Sequence, residues 1–416
     1  MFQSKKRLAR YGLLIALAGL AIHYLFPVYG FLSHREKLPH PPFGWITPPT
    51  EYPESQVIDD PRFEASANTA LAILASHRQQ INAPAITAAV AINAKRVWTG
   101  AVGWQDVRSG QPATHRTQFR IGSTSKAITA TTLARMLKHG LADLDQPLST
   151  VYEVLPNSEW SKITPRQLAS HTAGLAHYGQ TKDWQGAYQF MALNQHYENV
   201  EDAVNLFNNT PLLFQPGNDF SYSSLGTVLL SAYMQRSGKQ PYQQLVNELV
   251  LTPLLMHDTH WQEPTINLAT HYWRSEDPER PHLREWRDVN LSHRLAGGGF
   301  ISTSSDLVKL GSAYLTDSFL APDVVDTLWQ PQRLSNGEIN PQNYAIGWRK
   351  GELLLEGSPH ASYHHGGVSR GAQSWLVIIP DYQMVIAVNI NTKTTKFSDF
   401  ASVYKELAQT FIAQSR

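Results

Sequence analysis

Apolar residues recur along this chain at two periods, and the breaks between them divide it into elements. From Tyr11 to Leu32 the sequence is apolar almost without interruption, the roughly 20 residues that a bilayer-crossing helix needs, and Lys5, Lys6, Arg7 and Arg10 precede it. Helical spacing runs from Phe63 to Gln80, and the runs Ala85 to Asn93 and Val97 to Asp106 then read as a hairpin. Ala127, Ala130, Leu133, Ala134 and Leu137 form one stripe of a buried helix, with Lys138 and His139 in its last turn and Gly140 as its stop. A second apolar helix extends from Leu225 to about Ser237 and is closed by Gly238. Near the end, Gln373 to Ile379 and Met384 to Ile390 are strand-like runs joined through Pro380 to Gln383, and a last helix covers about Asp399 to Ala413. Strands at both ends with helices between them predict an α/β fold with one sheet assembled from distant segments.

Between the first apolar run and the body lie Pro39, Pro41, Pro42, Pro48, Pro49 and Pro53, a composition that favours an extended, semi-rigid spacer. The chain therefore divides into residues 1–32, a membrane anchor or signal segment; 33–61, a proline-rich linker; and 62–416, the body. The basic flank places the body outside by the positive-inside rule. The expectation is a single-pass protein of the inner or plasma membrane with a periplasmic or extracytoplasmic body. A cleaved signal peptide is the alternative, since Ala16, Ala18, Gly19 and Ala21 offer small residues, although the apolar run continues past them.

Charge and composition narrow the chemistry. The chain has 416 residues, 42% of them apolar, enough for a large core. Its 35 basic and 34 acidic residues are well mixed, which gives no basic stripe and no nucleic-acid partner. It has no cysteine, hence no disulfide, thiolate metal site or cysteine nucleophile. His257 with His260, and His364 with His365, lack both zincin spacing and a companion carboxylate, so neither a metal nor another cofactor is expected. The run Ala296 to Gly299 lacks a P-loop lysine and reads as a backbone turn beside a cleft. His171 reads as structural, and Thr303 to Asp306 as a helix cap.

The candidate chemistry begins at Ser123, three residues before Lys126, at the head of the first buried helix. Residues three apart on a helix share a face, with Cβ atoms about 5–6 Å apart, so a lysine there reaches the serine hydroxyl. Serine is a weak nucleophile until a base stands beside it, and lysine becomes that base when burial and neighbouring charge lower its pKa. The alternative is that Ser123 merely caps the helix. Tyr222, in the turn Pro216 to Gly226, stands at the entrance of the second apolar helix, and Gly366 and Gly367 permit close backbone approach just before the terminal hairpin.

Ser123-Thr-Ser-Lys126, Tyr222-Ser-Ser224 and His364-His-Gly366, in this order and at these separations, resemble the three motifs of the serine β-lactamase and penicillin-binding-protein superfamily, in its class C-like branch. The resemblance covers about residues 65 to 415, and the His-x-Gly-Gly form is similar to the mitochondrial serine β-lactamase-like protein and its bacterial relatives. It implies a transpeptidase-like antiparallel sheet flanked by helices, with an all-helical subdomain. By position it makes Ser123 the acylated nucleophile, Lys126 its deprotonating partner and Tyr222 the proton shuttle. The backbone N–H groups of Ser123 and Gly367 become the oxyanion hole, and His364 and Gly366 the cleft wall. Two positions depart from the branch: His364 stands where many members carry lysine, and Ser224 where they carry asparagine. With no fixed cation in the third motif, esters or amides fit better than carboxylate-bearing β-lactams, unless Arg370 supplies the charge. No class A-type glutamate serves deacylation, which leaves Tyr222, Lys126 or the substrate. The expected partner is thus a small-molecule or peptide substrate, with β-lactamase or D-specific peptidase activity, or a silent binding protein of the same fold, as alternatives.

Overall fold

A computed structural model describes residues 2–35, 37–261, 265–275 and 282–414; the side chains of residues 2–6 and 8, Lys5 and Lys6 of the basic flank among them, lie outside the description. The labelled elements, in chain order, are α1 (Phe2–Ser33), β1 (Glu54–Ile58), α2 (Glu64–Gln80), β2 (Ala85–Ile92), β3 (Lys95–Asp106), α3 (Ser125–Lys138), α4 (Trp184–Ala192), α5 (Ser224–Gly238), α6 (Ser304–Ser312), β4 (Arg349–Leu355), β5 (Ser358–Ser369), β6 (Ala372–Ile379), β7 (Met384–Ile390) and α7 (Val403–Ile412). Short helices and turns join them.

The main sheet is antiparallel in the order β4-β5-β6-β7-β2-β3-β1, so the last long strand lies against the first, with Met384 opposite Ile92 and Ile390 opposite Ile86. Both faces of its centre are covered, which is why these strands read as unbroken apolar runs. Ala89, Ala91, Val385 and Ala387 face the helical subdomain built around α3 and α5. Ile86, Ala88, Val90, Ile386 and Val388 face α2 and α7, where Phe63, Trp98 and Phe411 close the second layer. Burying one such side chain stabilises the fold by about 1.5–3 kcal/mol. The two layers hold the sheet rigid from both sides, and β5 meets the start of α3 at its helical face.

Two expectations change. The segment expected as an unpacked linker is ordered against the body: Glu54–Ile58 joins the sheet as an edge strand, Glu54 opposite Val102 and Ile58 opposite Trp98, and Trp45–Ile46 pairs with Leu283 and Arg284. No proline lies within Glu54–Ile58 itself, and Pro53 just before it is tolerated at the start of an edge strand, so the proline content around it obscured a real strand. The first buried helix also begins later than Ser123. A single 3-10 turn, Gly122–Thr124, precedes α3, and Ser123 lies within it. Other readings hold: Thr303 caps α6 by accepting from the Asp306 N–H, and α1 has a stretch, Ala9–Ser33, long and apolar enough to cross a membrane.

Candidate active site

The turn before α3 is forced by two glycines. Gly122 has φ +52°, and a Cβ on it would lie 2.6–2.7 Å from the backbone of Val368. A Cβ on Gly367 would lie 1.8 Å from the carbonyl oxygen of Ile121. Strand β5 therefore crosses against the turn at backbone distance, and only residues without a side chain allow it. This crossing puts Ser123 at the wall of a cavity of about 660 Å³ between sheet and helical subdomain.

Lys126, the second residue of α3, is fully buried, and among the described residues no carboxylate is its hydrogen-bond partner. Its Nζ lies 3.3 Å from Ser123 Oγ, 2.8 Å from Ser224 Oγ and 2.6 Å from the carbonyl oxygen of Gly297. Burial holds its pKa well below the ordinary lysine value, and the guanidinium groups of Arg349 and Arg294 push it further down. The hydroxyl of Ser123 thus meets the lysine amine and does not cap the helix. Tyr222 enters from the turn before α5: its ring centre is 4.9 Å from Lys126 Nζ, and its hydroxyl is directed toward those of Ser123 and Ser224. Burial raises the Tyr222 pKa, an effect that the Ser123 hydrogen bond and Arg349 partly offset. Ser123, Lys126, Tyr222 and Ser224 are therefore one cluster.

The third motif lies one residue out of register with the sequence assignment. Successive strand residues face opposite sides of a sheet, and the side of His364 and Gly366 is turned away from Ser123. His364 stacks on Trp375 at 4.6 Å, and a Cβ on Gly366 would meet the Phe397 ring at 2.6 Å. The residue that faces the cluster is His365. Its Nδ1 donates to the Gly366 carbonyl at 2.9 Å, which leaves Nε2 to accept from the Tyr344 hydroxyl at 2.9 Å. Burial, then Arg349 and Lys126, depress its pKa, so the ring is neutral. Gly367 supplies the close approach, whereas Val368 and Ser369 are the β5 residues that line the cavity with Ser123.

Arg370 does reach the cavity, but through aromatic neighbours: its Nη2 donates to the Phe190 carbonyl at 2.9 Å. His171 is packed between Tyr222 and Tyr344, at 4.3 and 4.4 Å, and its Nδ1 accepts from the Ser223 N–H. It positions Tyr222. Sequence reasoning missed Arg349, which lies 5.2 Å from the Tyr222 ring centre; Arg294, at the cavity; and His177, whose Nδ1 accepts from the Ser224 N–H at 3.1 Å. The glycine run was correctly placed at the cleft, yet what it contributes to Lys126 is a main-chain carbonyl, which no side-chain pattern announces.

An antiparallel sheet backed by helices, with a helical subdomain and a serine–lysine pair at their junction, defines the serine hydrolase class of β-lactamases and penicillin-binding proteins. The chain belongs to the beta-lactamase family, whose profile matches residues 71–409. It is similar to the mitochondrial serine beta-lactamase-like protein LACTB of Homo sapiens, at 25% identity covering 73% of this chain and 70% of that protein. A beta-lactamase of Providencia stuartii is also 25% identical, over 75% of this chain and 83% of its own length. A solved D-amino acid amidase from Ochrobactrum anthropi shares the fold with a TM-score of 0.68, covering 85% of this chain and 100% of that one at 19% identity.

Proposed function

We propose that the chain is a membrane-anchored serine hydrolase that forms an acyl-enzyme on Ser123 from an ester, amide or peptide substrate. The observation that carries this is the buried Lys126 amine, 3.3 Å from Ser123 Oγ. A neutral amine has two N–H bonds and one lone pair. The Gly297 carbonyl can only accept, and Ser224 Oγ accepts the other N–H, so the lone pair is left for the Ser123 hydroxyl. Lys126 takes the Ser123 proton as Oγ attacks the acyl carbon. The oxyanion is met by the Ser123 N–H and the backbone N–H at Gly367 or Val368; each preorganised donor of this kind is worth about 3–4 kcal/mol in the transition state.

Collapse of the tetrahedral intermediate breaks the bond to the leaving group, which takes a proton from Tyr222, itself reprotonated from the Lys126 ammonium through the Ser224 hydroxyl. Water then attacks the acyl-enzyme along the reverse path, with Tyr222 and Lys126 as the bases. The helix α1 spans the membrane in this reading, with its basic start inside and the body outside.

Intact-protein mass spectrometry after treatment with a fluorophosphonate, and separately with a penicillin, tests the proposal. A fluorophosphonate adduct lost in Ser123→Ala supports it. A penicillin adduct as well extends it to carboxylate-bearing substrates. No adduct from either reagent on folded protein returns the chain to the silent binding-protein alternative.

A further inference from the structure

The end of α1 packs on the body beside the nucleophile. Phe31 is buried and meets Phe190 of α4 edge-on at 5.2 Å, and His34, just past the helix, stacks on Trp286 at 3.8 Å. Phe31, His34 and Arg35 line the same cavity as Ser123 and Ser224. Phe31 also builds the seat of Arg370 together with Phe190 and Trp286: the guanidinium lies 4.8 Å from the Phe31 ring centre, 5.6 Å from Phe190 and 5.8 Å from Trp286. Across the cavity, Arg294 lies over the Tyr178 ring at 4.2 Å, and its Nη2 is buried without a hydrogen-bond partner among the described residues.

Among the described residues no Asp or Glu lines this cavity, whereas Arg35, Lys37, Arg294 and Arg370 all do. Desolvated guanidinium groups without a counter-charge are costly, and a buried Nη2 on a cavity-lining arginine leaves a hydrogen bond unmade. An anionic ligand group answers both. The position of α1 says where that ligand is met. Its exposed part, from Ala9 to Phe26, is about 27 Å long at 1.5 Å per residue, close to the ~30 Å hydrocarbon core. Tyr24 of α1 and Tyr188 of α4 lie 5.9 Å apart at the end of that exposed part, and the nearby Trp184 is 76% exposed, the aromatic types that settle at a membrane interface.

We infer that the last turn of α1 and the residues just after it are a wall of the substrate site, and that this site holds a carboxylate of its acyl donor between Arg294 and Arg370 at the membrane surface. The inference rests on the acyl-enzyme and anchor readings above. It makes Phe31, His34 and Arg35 specificity residues and gives the cavity the cation that the third motif lacks.

The test uses the full chain in detergent or lipid nanodiscs, with mono-p-nitrophenyl glutarate as a carboxylate-bearing ester and p-nitrophenyl butyrate as a neutral one. The ratio of kcat/KM for the two favours glutarate in the parent protein. It falls about tenfold, the scale of one lost charged contact, in Arg370→Gln and in the double variant Phe31→Ala, His34→Ala, and recovers partly in Arg370→Lys. Arg35→Gln, at an exposed position, lowers the same ratio even if the double variant does not fold. A ratio unchanged in Arg370→Gln and Arg35→Gln overturns the wall while leaving the acyl-enzyme in place. Absence of both ester turnover and a fluorophosphonate adduct overturns the acyl-enzyme reading, and this inference with it.

Discussion

Lys126 and Ser224, 98 residues apart in the chain, meet at 2.8 Å, the lysine amine donating to the serine hydroxyl. That contact joins α3, which follows the nucleophile turn, to α5, which follows the tyrosine turn. Ser224 occupies the position where the branch it resembles uses asparagine, and here its hydroxyl orients the amine. Ser224→Ala removes one of the two acceptors that direct the Lys126 lone pair. Steady-state hydrolysis of a p-nitrophenyl ester is expected to lose about 10- to 100-fold in kcat, within the range of a general-base contribution, with a smaller change in KM.

Acylation requires Lys126 as the neutral amine, so its rate rises with pH through a titration that lies below the ordinary lysine range, because burial and two arginines disfavour the ammonium. Arg349→Gln removes one of those positive charges and favours the protonated form. The rising limb of kcat/KM against pH is expected to move to higher pH in this variant. A limb that stays in place, or moves to lower pH, would show that Arg349 does not tune the lysine.

The same burial appears in stability. An unfolded chain binds a proton at Lys126 that the folded chain binds weakly, so stability rises with pH from the depressed folded value up to the ordinary lysine value. Lys126→Met abolishes that slope. Its Tm relative to the parent is expected to be most favourable near pH 6 and to decline toward pH 10, measured by thermal melts in matched buffers.

Gly367→Ala drives a methyl group into the Ile121 carbonyl, whose oxygen lies 1.8 Å from the added atom. Backbone cannot yield as a flexible side chain does, so β5 must shift away from the nucleophile turn. The expected result is loss of fluorophosphonate labelling in a protein that still folds, with a destabilisation of about 1–3 kcal/mol by denaturant titration. Labelling at the parent rate would show that the crossing of strand and turn is not required.

On the far face of the sheet, Phe411 packs between Phe63 and Trp98, at ring-centre distances of 5.9 and 5.8 Å. Phe411→Ala leaves a cavity in the second layer, remote from Ser123. It is expected to cost about 3–5 kcal/mol of stability, read from chemical denaturation, while kcat at a permissive temperature stays near that of the parent.

Long periodic elements were readable from the chain alone: α2, α3, α5, both hairpins and the union of distant strands follow from apolar spacing. The Ser123–Lys126 pair was readable because helix spacing is local, whereas Tyr222 was joined to it only through the resemblance of the three motifs. The third motif was misread by one residue, and for a strand one residue is a change of face. Two adjacent histidines followed by two glycines give no local sign of which pair points inward; the crossing at Ile121 decides it. Arg349 and Arg294 were invisible because they come from other segments, and Gly297 because its contribution is a carbonyl. In the proline-rich segment, composition outweighed the short run Gln56 to Ile58, which closes the sheet edge.

The pairing of β7 with β2 governs how this protein comes into being. Ala85 donates its N–H to Asn391 Oδ1 at 2.7 Å although the two are 306 positions apart in the chain, and the sheet beside it depends on the same long closure. The two central strands cannot find one another until nearly the whole chain has been made, and contacts of such separation form slowly. Until then β2 and β3 present an unpaired apolar edge, the kind of surface on which incomplete chains associate. Loss of the last few dozen residues is therefore not a trimming of the fold's periphery. It removes the middle of the sheet, and a chain cut short there has no partial version of the native state to occupy.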